Sequence, residues 1–147
     1  YVVIGPQATS GCKEWPKSYW ISLTKLLNQA GYQVVALTKD QSDLPNVINS
    51  WNQSFDVIAN YLLHADLFIG LGSGLSWFNW ALGKHTVMIN GFVEKGHEFT
   101  SKVTRLADGD WDWCPVWKGT DKQYICQKSI TPGKVFTEVK KLLNNKK

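Results

Sequence analysis

Residues 66–83 constrain this chain more than any other stretch. They begin with a short apolar run (Leu67, Phe68, Ile69, Gly70, Leu71) and turn through Gly72, Ser73 and Gly74. They then continue as an apolar segment of helical length that stops at Gly83. Five apolar residues closed by a turn suit a strand buried on both faces. The helix that follows starts with unpaired N–H groups and the positive end of its dipole, and both point at whatever lies in front of the turn. An anion, most often a phosphate, is the natural occupant. A plain strand-to-helix turn competes with that reading, because short glycine turns are common.

The rest of the chain repeats the alternation. Residues 1–5 read as a strand and residues 7–11 as a polar loop. Pro16 suits the first turn of a helix whose face carries Tyr19, Trp20, Leu23, Leu26, Leu27 and Ala30, and Gly31 ends it. Residues 33–37 are a second strand. Residues 43–53 form a loop with a short strand at Val47 and Ile48. Ser54 caps a helix over 55–64, helix 75–82 follows the glycine turn, and residues 86–89 are a further strand. Apolar strands separated by helices predict an α/β fold, a Rossmann-like parallel sheet with helices on both faces. Ligands of such sheets bind at the carboxyl ends of the strands. That rule selects the loops after Gly5, Leu71 and Ile89.

A chain of 147 residues, 44% hydrophobic and 19% charged, is one domain with a real core. Residues 108–127, rich in Trp and Asp, read as a loop or hairpin excursion, and Thr131 caps a docking helix over 132–145 that turns Val135, Val139 and Leu142 to the sheet. The net charge of +4 gathers partly in Lys140, Lys141, Lys146 and Lys147. No basic block is interleaved with stacking aromatics, so this tail reads as a solvated helix end and nucleic acid is not an expected partner. Eight Trp are many for this length and point to recognition or to packing against another surface. No run approaches the roughly 20 apolar residues that span a bilayer. Three Cys argue against a disulfide framework and for a reducing, cytoplasmic setting. The chain opens directly on a core strand without Met, as a piece of a longer polypeptide would.

Four groups could carry chemistry. Gly72, Ser73 and Gly74 form the first. Lys13 is the second, with Thr9 and Ser10 beside it. At the neighbouring strand end it could meet a diphosphate as a point charge, although taken alone a surface lysine next to a helix start is the stronger reading. Glu98, next to His97, could accept hydrogen bonds from sugar hydroxyls, or be a solvated loop acid. Cys114 and Cys126 could hold half of a tetrahedral metal site. With only Cys12 left, an all-cysteine site of four ligands cannot be completed within the chain. His64, His85 and His97 are too scattered for a metal cluster. A receiver-like or flavodoxin-like fold is disfavoured, since no acidic cluster follows the first strand.

Taken together these residues resemble a known family. Lys13-Glu14-Trp15-Pro16, a helix, Gly31 and an apolar strand resemble the corresponding segment of the heptosyltransferase-like glycosyltransferases, glycosyltransferase family 9. The bacterial autotransporter O-heptosyltransferases are more similar still. Their pattern resembles Gly11-Cys12-Lys13 with Trp15, then His64 through Leu71 into Ser73-Gly74-Leu75-Ser76-Trp77 and Trp80-Ala81-Leu82-Gly83. It continues in Gly91-Phe92, Glu98-Phe99, Trp113-Cys114-Pro115, Lys118-Gly119-Thr120, Cys126 and Ile130-Thr131-Pro132.

The resemblance implies a two-domain GT-B enzyme that transfers a sugar from a nucleotide-sugar, ADP-heptose, to a hydroxyl on a protein or glycan. This chain corresponds to its C-terminal donor-binding half. By the same resemblance Lys13, Ser73 and Gly74, with Thr9, Ser10 and Gly72 around them, hold the diphosphate. Asn90, Gly91 and Phe92 line the base or ribose, and Glu98 contacts ribose or sugar. The catalytic base and the acceptor side come from an N-terminal domain of the same polypeptide, no metal is needed for transfer, and an oligomer is compatible. Two departures stand out. The family's four-cysteine iron or zinc finger is matched only by Cys114 and Cys126, and residues 103–110 lack the first pair. The N-terminal half is also missing, so this chain is expected to bind donor without turning it over. The alternative is a non-catalytic nucleotide-binding, sugar-binding or interaction module derived from the same fold.

Overall fold

A computed structural model describes residues 1–90, 99–107 and 125–146, without the side chains of Cys12, Ile125 and Cys126. Six strands form one parallel sheet: β1 (Val2–Ile4), β2 (Val34–Thr38), β3 (Ile48–Trp51), β4 (Leu67–Leu71), β5 (Thr86–Ile89) and β6 (Val103–Leu106), in the spatial order β3-β2-β1-β4-β5-β6. The direction of travel reverses between β1, which pairs with β2, and β4, which pairs with β1 on its other side. At such a reversal the loops leaving β1 and β4 diverge and open a crevice at the carboxyl ends of the strands.

The apolar strands are buried because both faces are covered. Val2 and Ile4 face one layer with Leu67, Ile69 and Leu71. There α1 (Lys17–Gln29) and α5 (Pro132–Asn144) supply Trp20, Leu23, Leu27, Val135, Val139 and Leu143. Val3, Val35 and Phe68 face the other layer, where α2 (Phe55–His64) and α3 (Gly74–Ala81) bring Leu62, Leu75 and Phe78. Burying a side chain of this size contributes about 2 kcal/mol. Close approach is built in at Gly5, where an added Cβ would stand 2.9 Å from Leu75 of α3.

Several boundaries differ from the sequence expectations. β3 runs over Ile48–Trp51, where the apolar pair Val47 and Ile48 had marked only its beginning. β6 has no counterpart among the predicted strands, because Thr104 and Arg105 interrupt any apolar run. Pro16 is the residue before α1, not inside its first turn. In α5 it is Leu143, one position beyond Leu142, that is fully packed, while Leu142 is partly buried against the same core. The excursion expected at 108–127 lies outside the described residues except at its end, where Ile125–Lys128 form a short helix, α4. Among the described residues no helix is long and apolar enough to cross a membrane.

Candidate functional site

At the carboxyl ends of β1, β2 and β3 lies a cavity of about 780 Å³. Its lining includes Ser73 and Gly74 of the glycine turn, Gln7 and Thr9 of the β1 loop, and Phe55 of α2. The β4 turn is tight. The Ser73 N–H donates to the Leu71 carbonyl (2.8 Å), and the Ser73 carbonyl accepts from Ser76 N–H (3.1 Å). Ser76, fully buried, donates its hydroxyl back to Leu71 O at 2.5 Å and locks the helix onto the strand. The Ser73 hydroxyl takes no part in this, as it makes no capping bond to α3. That differs from Ser54 and Thr131, whose oxygens accept from Val57 N–H and Lys134 N–H. Among the described residues outside its own turn of helix, nothing stands within 4 Å of where a Cβ on Gly74 would lie. The start of α3 therefore presents an unused hydroxyl and open N–H groups to the cavity, a geometry suited to an anion.

Part of the cavity lining is apolar. Phe55, Ile58, Leu75 and Phe78 form an apolar wall. Phe55 is 78% exposed and braced edge-on by Phe78, with centroids 5.7 Å apart. The ends of β2 and β3 add hydroxyls to the lining: Ser50 is buried, and the buried Thr38 Oγ1 has no partner among the described residues. Gln7 ties the β1 loop to this side. Its Oε1 accepts from the N–H groups of Lys39 (2.9 Å) and Asp40 (3.1 Å), and its amide donates to Asp40 O (3.3 Å).

The sequence-derived residues thus divide. Thr9, Ser73 and Gly74 line the cavity together. Ser10 and Lys13 bracket a 3-10 turn at Gly11–Lys13 beside it, where Lys13 N–H donates to Ser10 O. Lys13 is half-buried and not part of the cavity wall. Asn90, 2% exposed, lies against Gly72, where a Cβ would meet its amide at 3.1 Å, so Asn90 supports the turn instead of lining the cavity. Gly91, Phe92, Glu98 and Cys114 lie outside the described residues, as does the Cys126 side chain. Among the described residues no three potential metal ligands gather. The sequence reading passed over Gln7, Thr38, Ser50 and Phe55. The rule for strand ends could have found three of them, had it been applied after β2 and β3 as well as after β1, β4 and β5.

The family model for glycosyltransferase family 9 (heptosyltransferase) matches residues 1–108. The chain belongs to that family. It is 29% identical to the autotransporter heptosyltransferase Aah of Escherichia coli, over 97% of this chain and 43% of that protein. The crystal structure of the dodecameric, iron-containing heptosyltransferase TibC in complex with ADP-D-beta-D-heptose superposes with a TM-score of 0.83. The identity is 29%, over 99% of this chain and 45% of that one. An inactive autotransporter heptosyltransferase, BimC of Burkholderia thailandensis, is 28% identical over 89% of this chain and 37% of that protein. The chain spans less than half the length of these relatives.

Proposed function

We propose that this chain is the donor-binding part of a glycosyltransferase that carries an ADP-heptose-like nucleotide-sugar and passes the sugar to a hydroxyl, on a protein if it acts as the autotransporter branch does. The observation that carries this reading is the cavity, which joins an anion seat at Ser73 and Gly74 to an apolar slot under Phe55. Its volume is of the order of pockets that enclose small organic ligands. In this reading the diphosphate sits at the start of α3 and the base lies between Phe55 and the ends of β2 and β3. The loop that begins at Asn90, with Glu98, is left to the ribose and sugar. Lys13 and the α3 N-terminus neutralise the charge that develops on the departing diphosphate. The base that deprotonates the acceptor comes from the remaining part of the polypeptide. TibC is dodecameric, and self-association of the intact protein belongs to the same reading.

TibC is iron-containing. A four-thiolate iron or zinc site does not fit a chain that holds three cysteines, so no step is assigned to a metal. Metal analysis that finds one tightly held iron or zinc per chain overturns this point.

Thermal shift with ADP, UDP, GDP and their sugars tests the donor reading. At a hundredfold excess over the dissociation constant, ADP should add about 2.7 kcal/mol of stability, or roughly 8 °C for a chain of this size. No stabilisation by any nucleotide sinks the proposal. The similarity to BimC favours a second reading, a nucleotide-binding module without turnover. Donor binding by the intact polypeptide, with neither transfer nor donor hydrolysis, selects that one.

A further inference from the structure

The loop that carries Lys13 is held from the far end of the chain. Gln127 of α4 is 1% exposed, and its Nε2 donates to the carbonyl of Lys13 at 2.7 Å and reaches the carbonyl of Ile89 at 3.5 Å. Ile89 is the last residue of β5. The amide therefore spans the loops on either side of β4, whose own end carries Ser73 and Gly74. Two more bonds fasten the same segment. The Trp15 indole N–H donates to Ile130 O at 2.7 Å in the buried core, and the Tyr19 hydroxyl donates to Lys128 O at 3.0 Å. Within this latch only the Gln127 bond falls on the backbone of the lysine itself, and only it also touches β5.

We propose that Gln127 is a positioning residue for the donor diphosphate: it sets where the backbone of Lys13 stands relative to the β4 turn, and so how the Lys13 ammonium meets the phosphates. The proposal rests on the donor reading above. A buried amide that joins two carbonyls uses both of its N–H groups, and no other neutral side chain of that length offers two donors in one plane. Its removal takes a donor away from both carbonyls and loosens the loop between β1 and α1 at Lys13. A lysine acts on phosphate as a point charge at the end of a flexible stem, so its effect depends on where that stem is rooted.

The test is a double-mutant cycle on the 147-residue chain, with ADP affinity read by calorimetry. Gln127→Glu keeps the shape but at neutral pH turns a carboxylate oxygen toward two carbonyls. ADP binding should weaken roughly tenfold, the equivalent of one charge-assisted hydrogen bond. In a Lys13→Ala background the same change should add little, because the group it positions is gone. Adenosine, which has no phosphate and is followed by ligand-observed NMR, should bind the single variant as it binds the parent. A buried carboxyl titrates above the usual glutamate range. Acidification should therefore restore one O–H donor and part of the ADP affinity of Gln127→Glu, without a matching gain in the parent.

If the carboxylate prevents folding, Gln127→Met, similar in length and uncharged, carries the same comparison without the pH arm. Equal ADP binding by parent and variant overturns the proposal, as does an equal loss with and without Lys13 or an equal loss for adenosine. Those results would leave Gln127 a structural bond only. A parent chain that binds no ADP overturns the donor reading and the proposal with it.

Discussion

Ser73→Ala separates a phosphate seat from a helix cap. An N-cap serine normally accepts from a backbone N–H of the first turn, and its loss costs about 1 kcal/mol. Ser73 occupies the cap position of α3 with extended dihedrals (φ −138°, ψ 174°), yet its hydroxyl makes no such bond. The turn is closed without it, by the Ser73 N–H on Leu71 O, the Ser76 N–H on Ser73 O and the Ser76 hydroxyl on Leu71 O. The stability cost should therefore stay within about 0.5 kcal/mol, as for a surface substitution. For a chain of 147 residues, 1 kcal/mol moves the melting temperature by about 3 °C, so the expected change is roughly 1.5 °C or less. Donor affinity should respond differently. A hydrogen bond to a charged partner contributes about 1.5–3 kcal/mol. The open mouth of the cavity argues for the lower end, or about tenfold in the dissociation constant for ADP.

Thr131→Ala is the control. Its oxygen does accept from Lys134 N–H, and α5 covers the other face of the sheet. That variant should lose about 3 °C and bind ADP normally. Calorimetry and thermal melts on both variants decide the matter. If Ser73→Ala melts lower by as much as Thr131→Ala and binds ADP as the parent does, Ser73 is a cap and the anion seat is wrongly placed.

Phe55→Ala removes an exposed ring that the core does not use. Thermal melts should barely move, while ADP should bind about five- to tenfold more weakly, the low end of base–aromatic stacking, and competition by pyrophosphate should be unchanged. Gly70→Ala places a Cβ 2.6 Å from the Phe68 ring and 2.7 Å from Ser76 Oγ. Overpacking of this kind costs about 1–3 kcal/mol, so melts should fall by roughly 3–9 °C. His85 has its pKa lowered, first by burial and then by the Lys146 ammonium. The folded chain therefore holds fewer protons than the unfolded one as the pH drops through 6.5, and stability declines with it. His85→Gln should flatten the loss of melting temperature between about pH 7.5 and 5.5, and an unchanged slope would remove His85 as its cause.

What the sequence discloses depends on how many elements must cooperate to make a feature. Leu67–Leu71 announces itself as a buried strand because both of its faces are covered, and an uninterrupted apolar run admits few alternatives. The edge strands β3 and β6 are half in water. Asn49, Thr104 and Arg105 are compatible with that position, and they erase the pattern. The turn proposed as the anion seat, Ser73 and Gly74, is local, one turn and one helix start, and its strand-turn-helix form is legible. The apolar slot is not, because Thr38, Ser50 and Phe55 come from three elements and are polar, small or exposed one by one. The Gln7 clamp and the Gln127 bridge leave no trace in spacing, since each links segments that only the folded sheet brings together.

The place of β1 in the middle of the sheet has a kinetic consequence. Its register pairs Val2 with Leu67 on one side and with Val34 on the other. The β4–β5 pair can assemble from neighbouring sequence, but the centre must wait for a long loop to close. The entropic cost of that closure comes before the burial that offsets it. The cavity lies over that centre and rests on strands from both halves. On the proposed donor reading, a partly assembled chain therefore has no place for a nucleotide, and ligand should slow global unfolding while leaving the refolding rate of the empty chain untouched.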